Sequence, residues 1–181
     1  TYPGLNISNE ISTINQLINE GARPMTIIIS GAKVSTKLTV IKKLLAKCDF
    51  MILGGGILNT FLKAKGREIG KSLYEEGLVK EAENILSSEL SSKIIFPIDL
   101  SCESESKPKN IDVCNISKND IIFDIGGKSL TQIKSIINKS SAIFWNGPLG
   151  YVEKKPFDQG TIELAKTIAE HNCFSIIGGG D

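Results

Sequence analysis

The sequence contains little histidine, arginine or cysteine, and these shortages argue against several kinds of site. His171 is the single histidine among 181 residues, and only Arg23 and Arg67 are arginines. The four cysteines stand far apart and form no CxxC pair, at positions Cys48, Cys102, Cys114 and Cys173. We therefore expect neither a zinc site nor a redox dithiol. Separate thiols are typical of a reducing cytosol, although sequence spacing alone leaves two disulfides open.

The chain also lacks net charge and any long apolar run. Its 21 Lys and Arg residues balance 20 Asp and Glu residues, so the sequence predicts no strongly basic surface for duplex nucleic acid. The longest charge-free apolar stretch, Phe50 to Leu62, contains three glycines and is too short to cross a bilayer. With 41% hydrophobic residues, the composition predicts a folded domain. We expect neither nucleic acid nor a membrane as a partner.

Short apolar runs alternate with amphipathic helical patterns along most of the chain. Six runs rich in β-branched residues are predicted as strands, at 25–29, 50–53, 94–98, 121–125, 142–145 and 174–177. The alternation predicts an α/β fold, a doubly wound, mostly parallel six-stranded Rossmann-like sheet with helices on both faces. Residues 99–120 are polar and lack a helical period, which predicts a small hairpin or a mobile loop there.

The two ends of the sequence predict its domain organisation. An amphipathic helix is expected within residues 1–21, of the kind that links neighbouring domains, and residues 22–181 form the α/β domain. The sequence stops in a glycine-rich turn directly after a predicted strand, where a helix should begin. We therefore expect the chain to be a fragment of a longer protein.

Glycine or small polar residues follow the predicted strands at the ends where open parallel sheets bind ligands. These turns contain Gly31, Gly54 to Gly56, Gly126–Gly127, Asn146–Gly147–Pro148 and Gly178 to Asp181. One such turn is ordinary, but five at one edge predict a surface where backbone amides meet a ligand closely. Known phosphate-binding fingerprints are incomplete, since Asn59 replaces the last glycine of GxGxxG and Ile122 the first glycine of a P-loop.

Two lysines and two carboxylates are the candidate chemical groups. Lys33 and Lys37 are four residues apart at the predicted start of a helix, so we expect both ammonium groups on one face. Their mutual repulsion is relieved when phosphates bind there, although two solvated lysines are the alternative reading. Asp181 could hold Mg²⁺ or cap a helix, and Glu153 could accept a ribose hydroxyl. No nucleophile or acid–base pair is recognisable, and phosphoryl transfer to an ionised acceptor needs none.

Eight stretches, in order, resemble the phosphoglycerate kinase family, specifically its C-terminal nucleotide-binding domain in bacterial-type members. They are ARP (22–24), GAKVSTKL (31–38), GGGILNTFLKAKG (54–66), EIGKSLYEE (68–76), FDIGGKS (123–129), FWNGPLGYVE (144–153), FDQGT (157–161) and SIIGGGD (175–181). The resemblance implies reversible transfer of the acyl phosphate of 1,3-bisphosphoglycerate to ADP, giving ATP and 3-phosphoglycerate in glycolysis. It also implies Mg²⁺ with ADP or ATP, a cytoplasmic location and a monomer.

The resemblance also implies roles for individual residues. Lys37 and Lys33 match the lysines that contact nucleotide phosphates and the transferring group, and Asp181 matches the residue towards Mg²⁺. The implied adenine contacts are Gly54, Gly55 and Gly56, and Glu153 matches the residue on the ribose. Asn146 and Pro148 match the loop that lines the nucleotide site, and Gly179 and Gly180 match the segment that binds phosphates. Gly31 and Gly178 are further implied nucleotide contacts. Ser30 and Gly127 depart from the family, which usually has glycine and proline there.

The implied phosphoglycerate site lies on a domain that this sequence does not contain. We therefore expect the 181-residue chain to bind nucleotide weakly and to show no kinase turnover by itself. Two alternatives remain at this point: a non-catalytic nucleotide-binding module, and an NAD-dependent dehydrogenase with a Rossmann-like fold.

Overall fold

The structure is a computed structural model and describes residues 17–18, 22–33, 35 and 37–179. In chain order the strands are β1 Met25–Ile29, β2 Phe50–Leu53, β3 Ile94–Ile95, β4 Asp99–Ser104, β5 Lys107–Asp112, β6 Ile121–Ile125, β7 Ala142–Asn146 and β8 Phe174–Gly178. The helices are α1 Leu38–Leu45, α2 Gly55–Ala64, α3 Val79–Leu86, α4 Gly127–Ile137 and α5 Gln159–Glu170, with 3₁₀ turns at Glu76–Leu78 and Glu89–Lys93. Most of the helix predicted within residues 1–21 lies outside the described residues, as do Gly180 and Asp181.

Five strands form a parallel sheet in the order β3-β2-β1-β7-β8. The central strand β1 is buried along its whole length, which explains its uninterrupted apolar sequence. The chain passes through α1 and then α2 and α3 as it moves from β1 to β2 and β3, and through α5 as it moves the opposite way from β7 to β8. Right-handed crossovers in opposite directions place helices on opposite faces. The predicted α/β fold with a parallel sheet between helices is confirmed.

The prediction of six strands in this sheet is wrong, because β6 belongs to a second sheet. β6 pairs antiparallel with β4, which also pairs with β5, in the order β5-β4-β6. The β4–β5 hairpin turns at Glu105 and Ser106, whose φ angles of 50° and 63° are those of a tight hairpin turn. This hairpin confirms the one predicted within residues 99–120. Strand β4 of this hairpin is the antiparallel partner of β6. The largely apolar composition of β6 did not reveal whether it pairs in the parallel or the antiparallel direction.

The main core lies between the parallel sheet and its helices. Its side chains include Ile27 and Ile28 of β1, Met51 of β2, Leu38, Ile41 and Leu45 of α1, Ile57 and Phe61 of α2, and Leu164 and Ile168 of α5. Each such side chain contributes about 1.5–3 kcal/mol when it is fully buried. The four cysteines are unpaired, so the two disulfides left open by their spacing do not form. Within the described part of the chain, no helix has the length and apolar character needed to span a membrane.

Candidate functional site

The order of the parallel strands reverses between β1 and β7. The chain continues from β1 to β2 and β3 on one side, and from β7 to β8 on the other. In open α/β sheets, the crevice beyond the carboxyl ends of the strands at such a reversal is where ligands bind. The Ser30 N–H joins the two strand ends here by donating to the Asn146 carbonyl oxygen at 2.9 Å. We call the surrounding turns the switch edge and define it as residues 30–33, 37, 54–56, 146–151 and 178–179.

Four of the five predicted glycine turns lie at the switch edge. The Gly54 N–H donates to the Ile29 carbonyl oxygen at 3.1 Å, and the Gly147 N–H donates to the Gly178 carbonyl oxygen at 3.1 Å. These bonds connect the end of β2 to β1, and the end of β8 to β7. The turns after all four strands therefore form one continuous surface.

The prediction is wrong for the fifth turn, Gly126–Gly127. This turn follows β6 in the antiparallel sheet, so its position is not part of the edge of the parallel sheet. It begins α4 around Asp99, whose carboxylate accepts the N–H groups of Lys128 at 3.1 Å and Ser129 at 2.7 Å. The Asp99 carboxylate thus already accepts hydrogen bonds from the first N–H groups of α4, so this turn has a structural role.

Two glycines at the switch edge leave no room for a side chain. At Gly147 the φ angle is +86°, and a Cβ atom would lie 2.6 Å from the Ser30 carbonyl oxygen. At Gly55 the φ angle is +59°, and a Cβ atom would lie 2.9 Å from the Gly31 carbonyl oxygen. Both positions need a backbone conformation that other residues rarely adopt. Backbone segments at this edge therefore lie close together.

The ammonium group of Lys37 lies at the point where the strand order reverses. Its Nζ donates to the Ser30 carbonyl oxygen at 2.5 Å and to Asn146 Oδ1 at 2.8 Å. Both partners are neutral oxygens, so these contacts orient the positive charge without cancelling it. Partial burial lowers the pKa of Lys37 from its usual value, since removal from water disfavours the charged form.

The prediction that Lys33 and Lys37 share the first turn of a helix is wrong. Helix α1 begins at Leu38, and Lys37 occupies its N-cap position with a φ angle of −111°. Lys33 lies exposed in the preceding loop. The Ser35 N–H donates to Glu75 Oε2 at 3.1 Å, so part of this loop bonds outside the helix. The two lysines are close in sequence, but helical geometry does not determine their relative placement.

The remaining predicted residues divide into three groups. Pro148 lies in the loop after β7, Gly56 lies against the Ala32 carbonyl oxygen, and Gly179 faces the Asn146 side-chain amide, with its Cβ position 2.6 Å from Nδ2. Glu153 lies exposed in the next turn, after the Tyr151 N–H has bonded to the Phe123 carbonyl oxygen of β6 at 2.8 Å. It is not part of the network around Lys37. Gly180 and Asp181 lie outside the described residues.

Several residues that support the switch edge were not predicted from the sequence. The Ser30 hydroxyl is buried, has no hydrogen-bond partner among the described residues, and faces Gly54, whose Cβ position lies 2.5 Å from Ser30 Oγ. The Thr161 hydroxyl accepts the Leu149 N–H at 3.0 Å. Asp124 is also buried, beneath the same loop. The FDIGGKS and FDQGT motifs that carry Asp124 and Thr161 were visible, but neither residue could be connected to the loop without the fold.

A cavity of about 420 Å³ lies elsewhere, beside the antiparallel sheet. Its wall is polar and includes Lys109, Asp112, Asp120 and Lys128. Lys128 pairs with Asp112 at 2.8 Å, and Asp120 accepts the Ser117 N–H at 2.7 Å, so these three charged groups already have partners within the chain. We place the candidate site at the switch edge, where the described partners of the Lys37 ammonium group are neutral oxygens.

The described part of the chain contains no cluster of three or more His, Cys, Asp or Glu residues that could hold a metal ion. The described residues of the switch edge supply backbone, amide, hydroxyl and ammonium groups and no carboxylate. The predicted Mg²⁺ ligand, Asp181, lies outside the described residues. The metal therefore stays a prediction.

Comparison with known proteins gives one consistent result. The family model described as phosphoglycerate kinase matches residues 1–181. The phosphoglycerate kinase of Francisella philomiragia is 42% identical over 184 residues, covering 98% of this chain and 47% of that protein. The phosphoglycerate kinase of Mycoplasmoides gallisepticum is 40% identical over 189 residues, covering 98% of this chain and 46% of that protein.

Solved structures agree with the sequence comparison. The structure of phosphoglycerate kinase from Coxiella burnetii matches with a TM-score of 0.91 at 34% identity, covering 98% of this chain and 47% of that chain. The phosphoglycerate kinase from Pyrococcus horikoshii matches with a TM-score of 0.84 at 30% identity, covering 96% of this chain and 46% of that chain. The chain thus spans about half the length of the relatives that it matches. The alternative of an NAD-dependent dehydrogenase finds no support in these matches. Sequence, fold and switch-edge motifs agree, and the chain belongs to the phosphoglycerate kinase family.

Proposed function

We propose that this chain is the nucleotide-binding part of a phosphoglycerate kinase and binds ADP or ATP with Mg²⁺ at the switch edge. The reaction of the whole protein is the reversible transfer of the acyl phosphate of 1,3-bisphosphoglycerate to ADP, which yields ATP and 3-phosphoglycerate. The observation that carries this proposal is the position of the Lys37 ammonium group. It lies where the strand order reverses, between the ends of β1 and β7, and is held by two neutral oxygens.

The electrostatics of this position favour an anionic ligand. The Lys37 charge is half-buried, and removal from water costs free energy that the Ser30 carbonyl and the Asn146 amide only partly return. A phosphate oxygen supplies the missing opposite charge and makes a short, charge-assisted hydrogen bond. Binding of a nucleotide phosphate should therefore restore the usual pKa of Lys37, since a nearby negative charge favours the ammonium form.

The surrounding backbone supplies neutral donors for the same ligand. Gly54 is the N-cap residue of α2, so the first N–H groups of that helix lie at the switch edge. Helix N-termini carry a partial positive charge and bind phosphates through these N–H groups. Lys33 lies exposed in the loop beside them and adds a second ammonium group. We assign the adenine to the Gly54–Gly56 turn and the ribose to Glu153.

The chemistry requires positioning and charge neutralisation more than proton transfer. The acceptor is a phosphate or a carboxylate that is already ionised at neutral pH, so no general base is needed. Lys37 and Lys33 neutralise charge on the phosphoryl group as it moves. Asp181 would hold Mg²⁺, which neutralises the nucleotide phosphates when it is bound. We also assign contacts with the phosphates to Gly178, Gly179 and Gly180.

The phosphoglycerate-binding residues belong, in this proposal, to the half of the relatives' length that this chain does not span. Kinase turnover therefore needs both halves, and the chain alone should bind nucleotide without turnover. We further propose a cytoplasmic, monomeric parent protein, in keeping with a glycolytic role.

Titration calorimetry of the 181-residue chain with ADP and Mg²⁺, and separately with NAD, tests the proposal. ADP should bind more tightly than NAD. Lys37→Ala should weaken ADP binding by roughly 1–3 kcal/mol, the value of a charge-assisted contact. Lys43→Ala, an exposed lysine of the same helix, is the matched control and should leave the affinity unchanged. Preference for NAD, or equal losses in both variants, would contradict the proposal. A coupled kinase assay that detected turnover by this chain alone would refute the assignment of the acceptor site to the other half.

A further inference from the structure

The carboxylate of Asp124 is enclosed by the backbone of two separate segments. Asp124 lies on β6 and is 3% exposed. Its Oδ2 accepts the Gly160 N–H at 2.7 Å, at the start of α5, and its Oδ1 accepts the Ile125 N–H at 2.8 Å. A Cβ atom at Gly150 would lie 2.3 Å from Asp124 Cγ, and one at Gly160 would lie 2.2 Å from Oδ1. Both glycines therefore give the carboxylate its space, one in the loop after β7 and one in α5.

The same loop is also bound to α5 by a neutral side chain. The Thr161 hydroxyl accepts the Leu149 N–H at 3.0 Å and the Gly150 N–H at 3.4 Å. The next residue, Tyr151, bonds through its N–H to the Phe123 carbonyl oxygen of β6. Successive backbone groups of the loop are thus fixed by α5 and by β6. The loop begins at Asn146, which contacts Lys37.

We propose that Asp124 and Thr161 are positioning residues that hold the loop of residues 146–151 so that Asn146 stays against the Lys37 ammonium group. Asp124 anchors α5 to β6 and occupies the space beneath Gly150. Thr161 of α5 then fixes the loop through its hydrogen bonds from the loop backbone. Neither residue touches the proposed phosphate site, so both act through Asn146. This role in ligand binding rests on the proposed function, whereas the anchoring of the loop does not depend on any ligand.

Two matched pairs of variants test this role. Thr161→Val keeps the shape of the side chain and removes the acceptor, whereas Thr161→Ser keeps the hydroxyl. Asp124→Asn places an amide N–H₂ group where two N–H donors now point. Its control is Asp99→Asn, since Asp99 is equally buried at 3% and also accepts N–H groups at a helix start, in α4.

Two readouts follow the loop without a ligand. Trp145 is the single tryptophan of the sequence, and its Nε1–H donates to the Gly147 carbonyl oxygen at 2.7 Å, so its emission reports on the loop. Amide hydrogen exchange at Leu149 and Gly150, measured by NMR, reports on their bonds to Thr161. Titration calorimetry with ADP and Mg²⁺ supplies the third readout.

Thr161→Val and Asp124→Asn should shift the Trp145 emission, raise amide exchange in the loop at least about tenfold, and weaken ADP binding at least about fivefold. Thr161→Ser and Asp99→Asn should keep wild-type values in all three readouts while the chain remains folded. Wild-type loop exchange in Thr161→Val, or equal effects of Asp99→Asn and Asp124→Asn, would overturn the proposal. If Asp124→Asn does not fold, the Thr161 pair decides. If the wild-type chain binds no ADP, the proposed function fails, and the emission and exchange data still decide the anchor.

Discussion

Asn146 Oδ1 lies 2.8 Å from Lys37 Nζ, although the two residues are 109 positions apart in the sequence. The contact connects the turns after β1 and β7, the two strands between which the order of the sheet reverses. Because Asn146 is neutral, it orients the ammonium group and leaves its charge available to a ligand. Four predictions follow from this geometry and from the residues that support it.

Asn146→Asp should weaken binding of ADP more than Asn146→Ala does. A carboxylate at this position would neutralise the Lys37 charge and repel the nucleotide phosphates, whereas alanine removes only the orienting contact. We expect at least about a tenfold loss for the aspartate variant in titration calorimetry at fixed salt. Asn119→Asp makes the same charge change at an exposed turn before β6 and is the control. Equal affinities of the Asn146→Asp and wild-type chains would show that Lys37 does not meet the phosphates.

Ser30→Ala should leave the free energy of unfolding unchanged or raise it by about 1 kcal/mol. In the part of the chain that the structure describes, the buried Ser30 hydroxyl has no hydrogen-bond partner, so its removal relieves a desolvation cost. Ser140→Ala is the matched control, because the Ser140 hydroxyl lies 2.6 Å from the Thr26 hydroxyl and 2.9 Å from the Ile136 carbonyl oxygen. That variant should lose about 1–3 kcal/mol in urea denaturation. A clear loss of stability in Ser30→Ala would mean that its hydroxyl is satisfied.

Gly147→Ala should destabilise the chain by at least about 1–3 kcal/mol. The added Cβ would lie 2.6 Å from the Ser30 carbonyl oxygen, at a φ angle of +86°. Gly77→Ala is the control, since its Cβ position faces open space among the described residues. Urea denaturation of both variants measures the difference. If the two variants were equally stable, the backbone segments at the ends of β1 and β7 would not be in close contact.

Asp124 should make the folded chain less stable as the pH rises. Burial raises the pKa of Asp124 to about 6, with a further contribution from the Asp158 carboxylate, against hydrogen bonds from Gly160 and Ile125 that lower it. Asp158 itself pairs with Lys155. Because the pKa of the folded state lies above that of the unfolded state, the stabilising contribution is complete below about pH 4 and is lost as the pH rises through about 6.

The measurement is the difference in the free energy of unfolding between wild type and Asp124→Asn, taken at pH 4, 5, 6 and 7 by urea denaturation. Wild type should lose up to about 3 kcal/mol relative to the variant over this range. Taking the difference between the two proteins cancels the pH-dependent contributions of other carboxylates. One of these is Glu163, whose pKa is lowered to about 2 by hydrogen bonds from Lys134 and Lys166. A difference independent of pH would show that Asp124 has an ordinary pKa.

Much of the fold follows from local sequence patterns. The apolar runs of β1, β2 and β7 predict strands because a strand buried on both faces needs apolar residues at every position. The strand β6 is also mostly apolar, apart from Asp124, yet it lies in the antiparallel sheet. Its pairing depends on the β4–β5 hairpin that precedes it. In the sequence, that hairpin is recognisable only as a polar segment without a helical period.

The site divides in a similar way. The glycine turns and Lys37 were predicted because strand ends and helix starts mark phosphate sites in α/β proteins. The placement of Lys33 was predicted incorrectly, since the helix begins at Leu38, after both lysines. The roles of Asp124 and Thr161 were not predicted. One hydrogen bond joins β6 to α5 and another joins α5 to the loop after β7, and no short motif contains both partners of either bond.

The sequence by itself determined the class of fold, the family and the residue types at the ends of the strands, because these depend on patterns a few residues long. The tertiary structure alone decided that Asn146 orients Lys37, that β6 leaves the parallel sheet, and that a buried carboxylate lies beneath the loop after β7. The physical reason is distance along the chain. Contacts between residues far apart in sequence depend on strand order and pairing direction, and these emerge only when the whole core packs.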